Sequence, residues 1–122
     1  MKLGKFSLSI RVKDINSSIV FYQTLGFKII DGGHINRFFK DTPTLKWRIL
    51  EHPSVKIGLF QGMFDTNMLT FHPEDVIKIQ NDLKKSGIEL SKEAKVKDSS
   101  MTLLFSDPDG NTIMMEQIPD IR

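Results

Sequence analysis

Arg11, His72 and Glu116 are the side chains of this sequence best placed to do chemistry together. Strand-like alternation puts Arg11 on one face with Ser7 and Ser9, His72 with Met68 and Thr70, and Glu116 with Met114. A histidine and a carboxylate at one cleft mouth could act as acid and base, or hold a metal weakly between two ligands. The same alternation adds Gly58 and Phe60 from "VKIGLFQ". The expected lining is then Ser7, Ser9, Arg11, Gly58, Phe60, Met68, Thr70, His72, Met114 and Glu116. Phe and Met fill irregular apolar space, while small hydroxyls and a few charged groups orient a ligand. The competing reading is a filled cleft, with Met and Phe packed across it and Arg11 paired to Glu116.

Those residues need strands and helices to carry them. In "FSLSIRVKD", Leu8, Ile10 and Val12 alternate with Ser7, Ser9 and Arg11, the period of a strand with one apolar face. Asp14 or Asn16 can cap a following helix, whose stripe is Ile15, Ile19 and Tyr22 with Phe21 and Leu25 beside it. Gly26 stops it. "FKII", "LKWRILEH" and "VKIGLFQG" read as strands, the last two joined near Pro53-Ser54. The order then repeats. "NMLTFH" is a strand, and Pro73 marks the start of a helix carrying Val76, Ile79 and Leu83, closed by Gly87. "IELSKEAKVK", "MTLLFSD" and "NTIMMEQ" are three further strand candidates. In "DPDGN", Pro108 suits the first central position of a type I turn, and Asp109, Gly110 and Asn111 tolerate positive φ.

The expected architecture is therefore α+β: two βαβββ modules, 1–62 and 67–122, within one domain spanning 1–122. One helix covers one face of each small sheet, so the other faces need partners. Side by side, the modules would form a curved, mixed or mostly antiparallel sheet with a concave cleft.

Composition excludes several chemistries. The chain of 122 residues has no cysteine, which removes disulfides, thiolate catalysis and Cys-ligated zinc. Its formal charge is +2, and the pair Lys84-Lys85 reads as a solvated helix face, so no nucleic-acid partner is expected. No apolar run reaches membrane-spanning length, and the N-terminus does not read as a signal peptide. The expected setting is cytoplasmic, with no membrane partner. Ser7, Ser9 and Ser106 lack a nucleophile-elbow context, and "DGGH" matches no phosphate loop. His34 and His52 read as surface residues. Trp47 could stack on a planar ligand or lie in a core. Loop 31–44, with Phe38-Phe39, could be a lid or a dimer contact.

The element order, with "VKDINSSIVFYQTLGF" and "DPDGN", resembles the vicinal oxygen chelate superfamily, which includes glyoxalase I, extradiol dioxygenases and the bleomycin and fosfomycin resistance proteins. "IGLFQGMF" followed by "NMLTFHP" is similar to a group of bacterial glyoxalase-like proteins of unassigned activity. The resemblance implies the glyoxalase/bleomycin resistance fold. It also places four metal ligands, usually His or Glu, at positions that here are Ser7, Gly58, Met68 and Met114. None is a suitable donor for a hard or borderline divalent ion. The expectation is a homodimeric, metal-independent protein that binds a small organic ligand and needs no cofactor. The alternative is a glyoxalase-like lyase or isomerase, assisted by Glu116 and His72 as acid and base or through a weakly held metal.

Overall fold

Two aspartates and two glycines set the helices at matching intervals. Asp14 and Asp75 are the N-caps, and Gly26 and Gly87 follow the ends with φ of +99° and +81°, where a side chain would be strained. In this computed structural model, which describes residues 1–98 and 100–118, the order is β1 (Lys5–Val12), α1 (Ile15–Thr24), β2 (Lys28–Gly32), β3 (Lys46–His52), β4 (Val55–Gln61), β5 (Met68–His72), α2 (Val76–Lys85), β6 (Met101–Ser106) and β7 (Thr112–Gln117). The fold is α+β. None of its described helices is long and apolar enough to cross a membrane.

The chain divides into two units. The first is Ser7–Asn67; the second is the chain from Met68 onward, with Met1–Phe6. In the first, the strands lie in the order β2-β3-β4-β1. β1 and β4 run parallel, and the other neighbours run antiparallel. Helix α1 packs on the face carrying Leu50, Ile57 and Leu59, with Val12 and Ile15 buried among them and Ile19 and Tyr22 against them. Phe21 and Leu25 are exposed instead. Gln61, at the end of β4, accepts the first helical N–H, from Ile15, at 2.9 Å.

The second unit repeats the device. Its strands lie in the order β5-β7-β6, with β5 parallel to β7 and β6 antiparallel to it. Helix α2 covers Leu103, Phe105 and Met115 with Val76, Ile79 and Leu83. Gln117, at the end of β7, accepts the first helical N–H, from Val76, at 2.9 Å. A side-chain amide at a strand end thus satisfies an orphan helical donor in each unit.

Two local expectations need correction, and a third, the Pro108 turn, holds. The segment 88–97 is not a strand. It makes one isolated bridge, Lys92 to Leu104, and then turns away because buried Gln80 takes the backbone of Ala94. Helix α2 begins at Val76, after Asp75, and not at Pro73. In the Asp107–Asn111 turn, Pro108 and Asp109 are the central pair and Gly110 alone has positive φ. The Asp107 carboxylate receives the N–H groups of Asp109 and Asn111, at 2.9 and 2.8 Å.

Candidate functional site

In each unit the helix takes one face of the strands, and the residues expected to bind a ligand lie on the other. In the first unit, Ser9 pairs in register with Gly58 and Arg11 with Phe60, so Ser7, Ser9, Arg11, Gly58 and Phe60 share the helix-free face. Ser7 is buried, and Ser9 is only 2% exposed, more deeply placed than Leu8 or Ile10 on the helix side. Periodicity alone had marked the leucine face as the inner one. Arg11 is exposed, and its backbone N–H donates to Asn67 Oδ1 at 2.8 Å.

Gly58 is roofed. A Cβ built on it would lie 2.5 Å from Phe60 Cε2, 2.9 Å from Phe60 Cζ and 3.3 Å from Ile49 Cδ1. The Phe60 ring is itself held edge-on by Phe64, with centroids 5.0 Å apart. Trp47 pairs with Phe60 across β3 and β4, so it lies on this same face, a register its sequence context had hidden. Its indole N–H donates to the Phe39 carbonyl at 2.8 Å, and Phe39 meets its ring at 5.9 Å. Residues 31–44 are tied down at several points. Asp41 receives the Trp47 N–H at 3.2 Å and an Arg48 N–H at 2.8 Å, and its own N–H donates to the Gly33 carbonyl at 3.0 Å. Asn36 Oδ1 accepts from Phe38 and Phe39, leaving both rings more than half exposed. His34 is exposed, while half-buried His52 lies 5.3 Å from the Phe27 ring and bonds to Ser54 at 3.0 Å.

In the second unit, Thr70 pairs with Met114, so Met68, Thr70 and His72 share the helix-free face with Met114 and Glu116. Met68, Thr70 and Met114 are buried, and Thr70 is 1% exposed. Glu116 pairs across to Thr102, and its Oε2 accepts hydroxyl bonds from Ser100 at 3.1 Å and Thr102 at 3.3 Å. The carboxylate is therefore engaged from the β6 side, through hydroxyls that no spacing argument had placed there.

The four positions at which the resemblance expects metal ligands do not fit a metal. Ser7 offers a weak neutral donor, Met68 and Met114 offer soft thioethers, and Gly58 offers nothing, with its side-chain space filled by Phe60. Among the described residues, no group of three or more His, Asp or Glu side chains converges as a metal site. The "DPDGN" motif does structural work. Asp107 is held below the ordinary carboxylate range by the Asn111 side-chain amide first, then by backbone N–H groups, and it closes the β6–β7 hairpin.

Two pockets open in the first unit beside the end of β1. One, of about 390 Å³, is lined by Arg11, Lys13, Gln61, Met63, Phe64 and Asp65 among others. The second, of about 370 Å³, lies between Arg11–Lys13 and helix α1 at Ser17, Ser18, Phe21 and Tyr22. Arg11 lines both, and Lys13 and Phe64 were not among the expected site residues. The alternation of β1 continued one step past Val12 would have pointed to Lys13.

Solved structures share this arrangement. A NAD-dependent benzaldehyde dehydrogenase from Legionella pneumophila superposes with a TM-score of 0.73 at 17% identity, over 94% of this chain and 100% of that one. A glyoxalase/bleomycin resistance protein/dioxygenase superfamily member from Vibrio splendidus 12B01 gives 0.66 at 18% identity, over 93% and 97%. Methylmalonyl-CoA epimerase from Mycobacterium tuberculosis gives 0.69 at 17% identity, over 97% and 88%. At such identities the likeness is one of fold. No curated protein sequence matches the chain. Residues 4–115 match the Glyoxalase/Bleomycin resistance protein/Dioxygenase superfamily profile. With the paired β-α-β units and the hairpin motif between β6 and β7, that match covers nearly the whole chain, which belongs to this superfamily.

Proposed function

We propose that the protein binds a small organic molecule without a divalent metal, in the manner of a glyoxalase/bleomycin-resistance binding protein. The observation carrying this reading is the ring of Phe60 over Gly58. It occupies the space that a ligating side chain would need at that position, while the other three ligand positions hold a hydroxyl and two thioethers. What remains on the helix-free faces is Phe, Met, Trp and Thr with a few charged groups, a composition suited to an organic ligand. A homodimer is part of the proposal, supported by the exposed Phe38 and Phe39 side by side in the chain.

A second reading is acid–base chemistry by Glu116 and His72. It is supported by their common face on adjacent parallel strands. The two readings separate on one experiment. Chelator-stripped protein is screened by melting temperature against small organic compounds, with and without Mn, Co, Ni and Zn. A ligand at about 100 times its dissociation constant adds about 2.7 kcal/mol. The proposal expects organic ligands that raise the melting temperature of stripped protein, with no dependence on metal. Binding that appears only when metal is restored would overturn it. Turnover of a bound compound that Glu116→Gln abolishes while leaving its affinity intact would favour the second reading.

A further inference from the structure

The pocket at the end of β1 has a chemistry that the superfamily's metal positions do not share. Its lining combines two unlike kinds of residue. Arg11 and Lys13, both exposed, supply its cationic groups, and neither makes an ion pair among the described residues. Met63 and Phe64 supply apolar groups, and the Phe64 ring makes an edge contact with Phe60. Asp65 is the single acidic residue of the lining.

The walls are tied together before any ligand arrives. Asn67 Oδ1 receives the Arg11 N–H at 2.8 Å, Val12 pairs with Gln61 in the β1–β4 ladder, and Gln61 Oε1 receives the Ile15 N–H at 2.9 Å. The turn carrying Met63, Phe64 and Asp65 is therefore anchored at both ends to the strand carrying Arg11. A prearranged site loses less entropy on binding than one that must be assembled.

We infer that this pocket takes a small organic monocarboxylate, its carboxylate between Arg11 and Lys13 and its apolar body against Phe64 and Met63. The inference rests on the metal-independent binding proposed above and names the ligand class. Arg and Lys together favour an anion, and the guanidinium fork matches the two oxygens of a carboxylate. Phe64 and Met63 favour an aryl or alkyl body over a bare ion. Asp65 disfavours a second negative charge on the ligand, so a dianion such as phosphate is a poorer fit. The volume of about 390 Å³ lies at the small end of the range for ligand pockets.

The test titrates isotope-labelled, chelator-stripped full chain with phenylacetate, its neutral analogue phenylacetamide and inorganic phosphate, following backbone amide signals. The expected result is saturable shifts at 11–13 and 61–65 with phenylacetate. Phenylacetamide should bind about tenfold or more weakly, from the loss of a charge-assisted contact. Arg11→Gln should weaken phenylacetate by about the same factor at unchanged melting temperature, and Asp65→Asn should improve phosphate binding. Equal affinity for acid and amide, shifts confined to other residues, or no binding of any probe would overturn the inference. If phenylacetate does not bind while a neutral compound binds stripped protein, metal-independent binding stands and the carboxylate assignment falls. If phenylacetate binds only after Zn or Mn is restored, the functional proposal itself falls.

Discussion

The Phe60 ring lies against the Cα of Gly58, so that a Cβ on Gly58 would come within 2.5 Å of Phe60 Cε2. A glycine inside a strand ordinarily gains stability on replacement by alanine. Here the reverse is expected. Gly58→Ala should cost about 1–3 kcal/mol, the usual penalty for overpacking. In a Phe60→Leu background the same substitution should be near neutral. Urea denaturation of the four proteins in a double-mutant cycle measures the coupling. A cost that is the same in both backgrounds would show that Phe60 is not what fills the site.

Buried Gln80 holds Ala94 through two bonds, donating to its carbonyl at 3.2 Å and receiving its N–H at 2.7 Å. Gln80→Ala leaves both backbone groups without that partner. The expected loss is about 2–3 kcal/mol, with faster hydrogen exchange at 92–95. Unchanged exchange there would refute the role of Gln80 in fixing the segment.

Asp41 and Arg48 form a largely buried ion pair at 2.8 Å, and Asp41 also receives the Trp47 N–H. Asp41→Ala should cost about 2–3 kcal/mol, because Arg48 then stays partly buried without its partner. Since the same loop supplies the Phe39 carbonyl to the Trp47 indole, its loosening should redden Trp47 emission. A blue or unchanged spectrum would indicate that residues 33–45 keep their place without Asp41.

Asp107 carries a pH dependence whose direction follows from its bonds. Its carboxyl lies below the ordinary value of 3.8, chiefly through the Asn111 side chain. A depressed folded-state value means that the stabilisation is fully present above the ordinary value and is lost as pH falls through the lowered one. Asp107→Asn removes it at every pH. The stability gap between the two proteins should be open above about pH 4 and close below it. Asp14, also depressed, by Ser17 first, is present in both proteins and cancels.

Phe38 and Phe39 are each more than half exposed, and Asn36 Oδ1 accepts both of their backbone N–H groups. Light scattering should give twice the 14.0 kDa chain mass, and the pair Phe38→Ser with Phe39→Ser should return the monomer. A monomeric parent would remove the homodimer from the proposal.

The sequence by itself determined the elements whose signals are local. The serine–leucine alternation of β1, the Asp14 cap, the Gly26 and Gly87 stops and the Pro108 turn are each decided within a few residues, whereas Pro73 drew the second helix start away from Asp75. The matched spacing of those caps and stops was also there to be read as a repeat. The residue types at the four positions where the resemblance places metal ligands were legible too. Contacts distant in sequence decided the rest. Residues 88–97 alternate like a strand, with Ile88, Leu90, Ala94 and Val96 at even positions, yet Gln80 captures Ala94 from the helix and the strand does not form. Gln61 and Gln117 look like ordinary strand residues until each meets a helix start, 46 and 41 positions away in the chain. Gly58 is only a gap in the sequence. The rotamer of Phe60, fixed by Phe64, makes it a filled position. Side-chain periodicity says which face a residue takes, but what occupies the space beside it is set by packing between segments that local sequence does not encode.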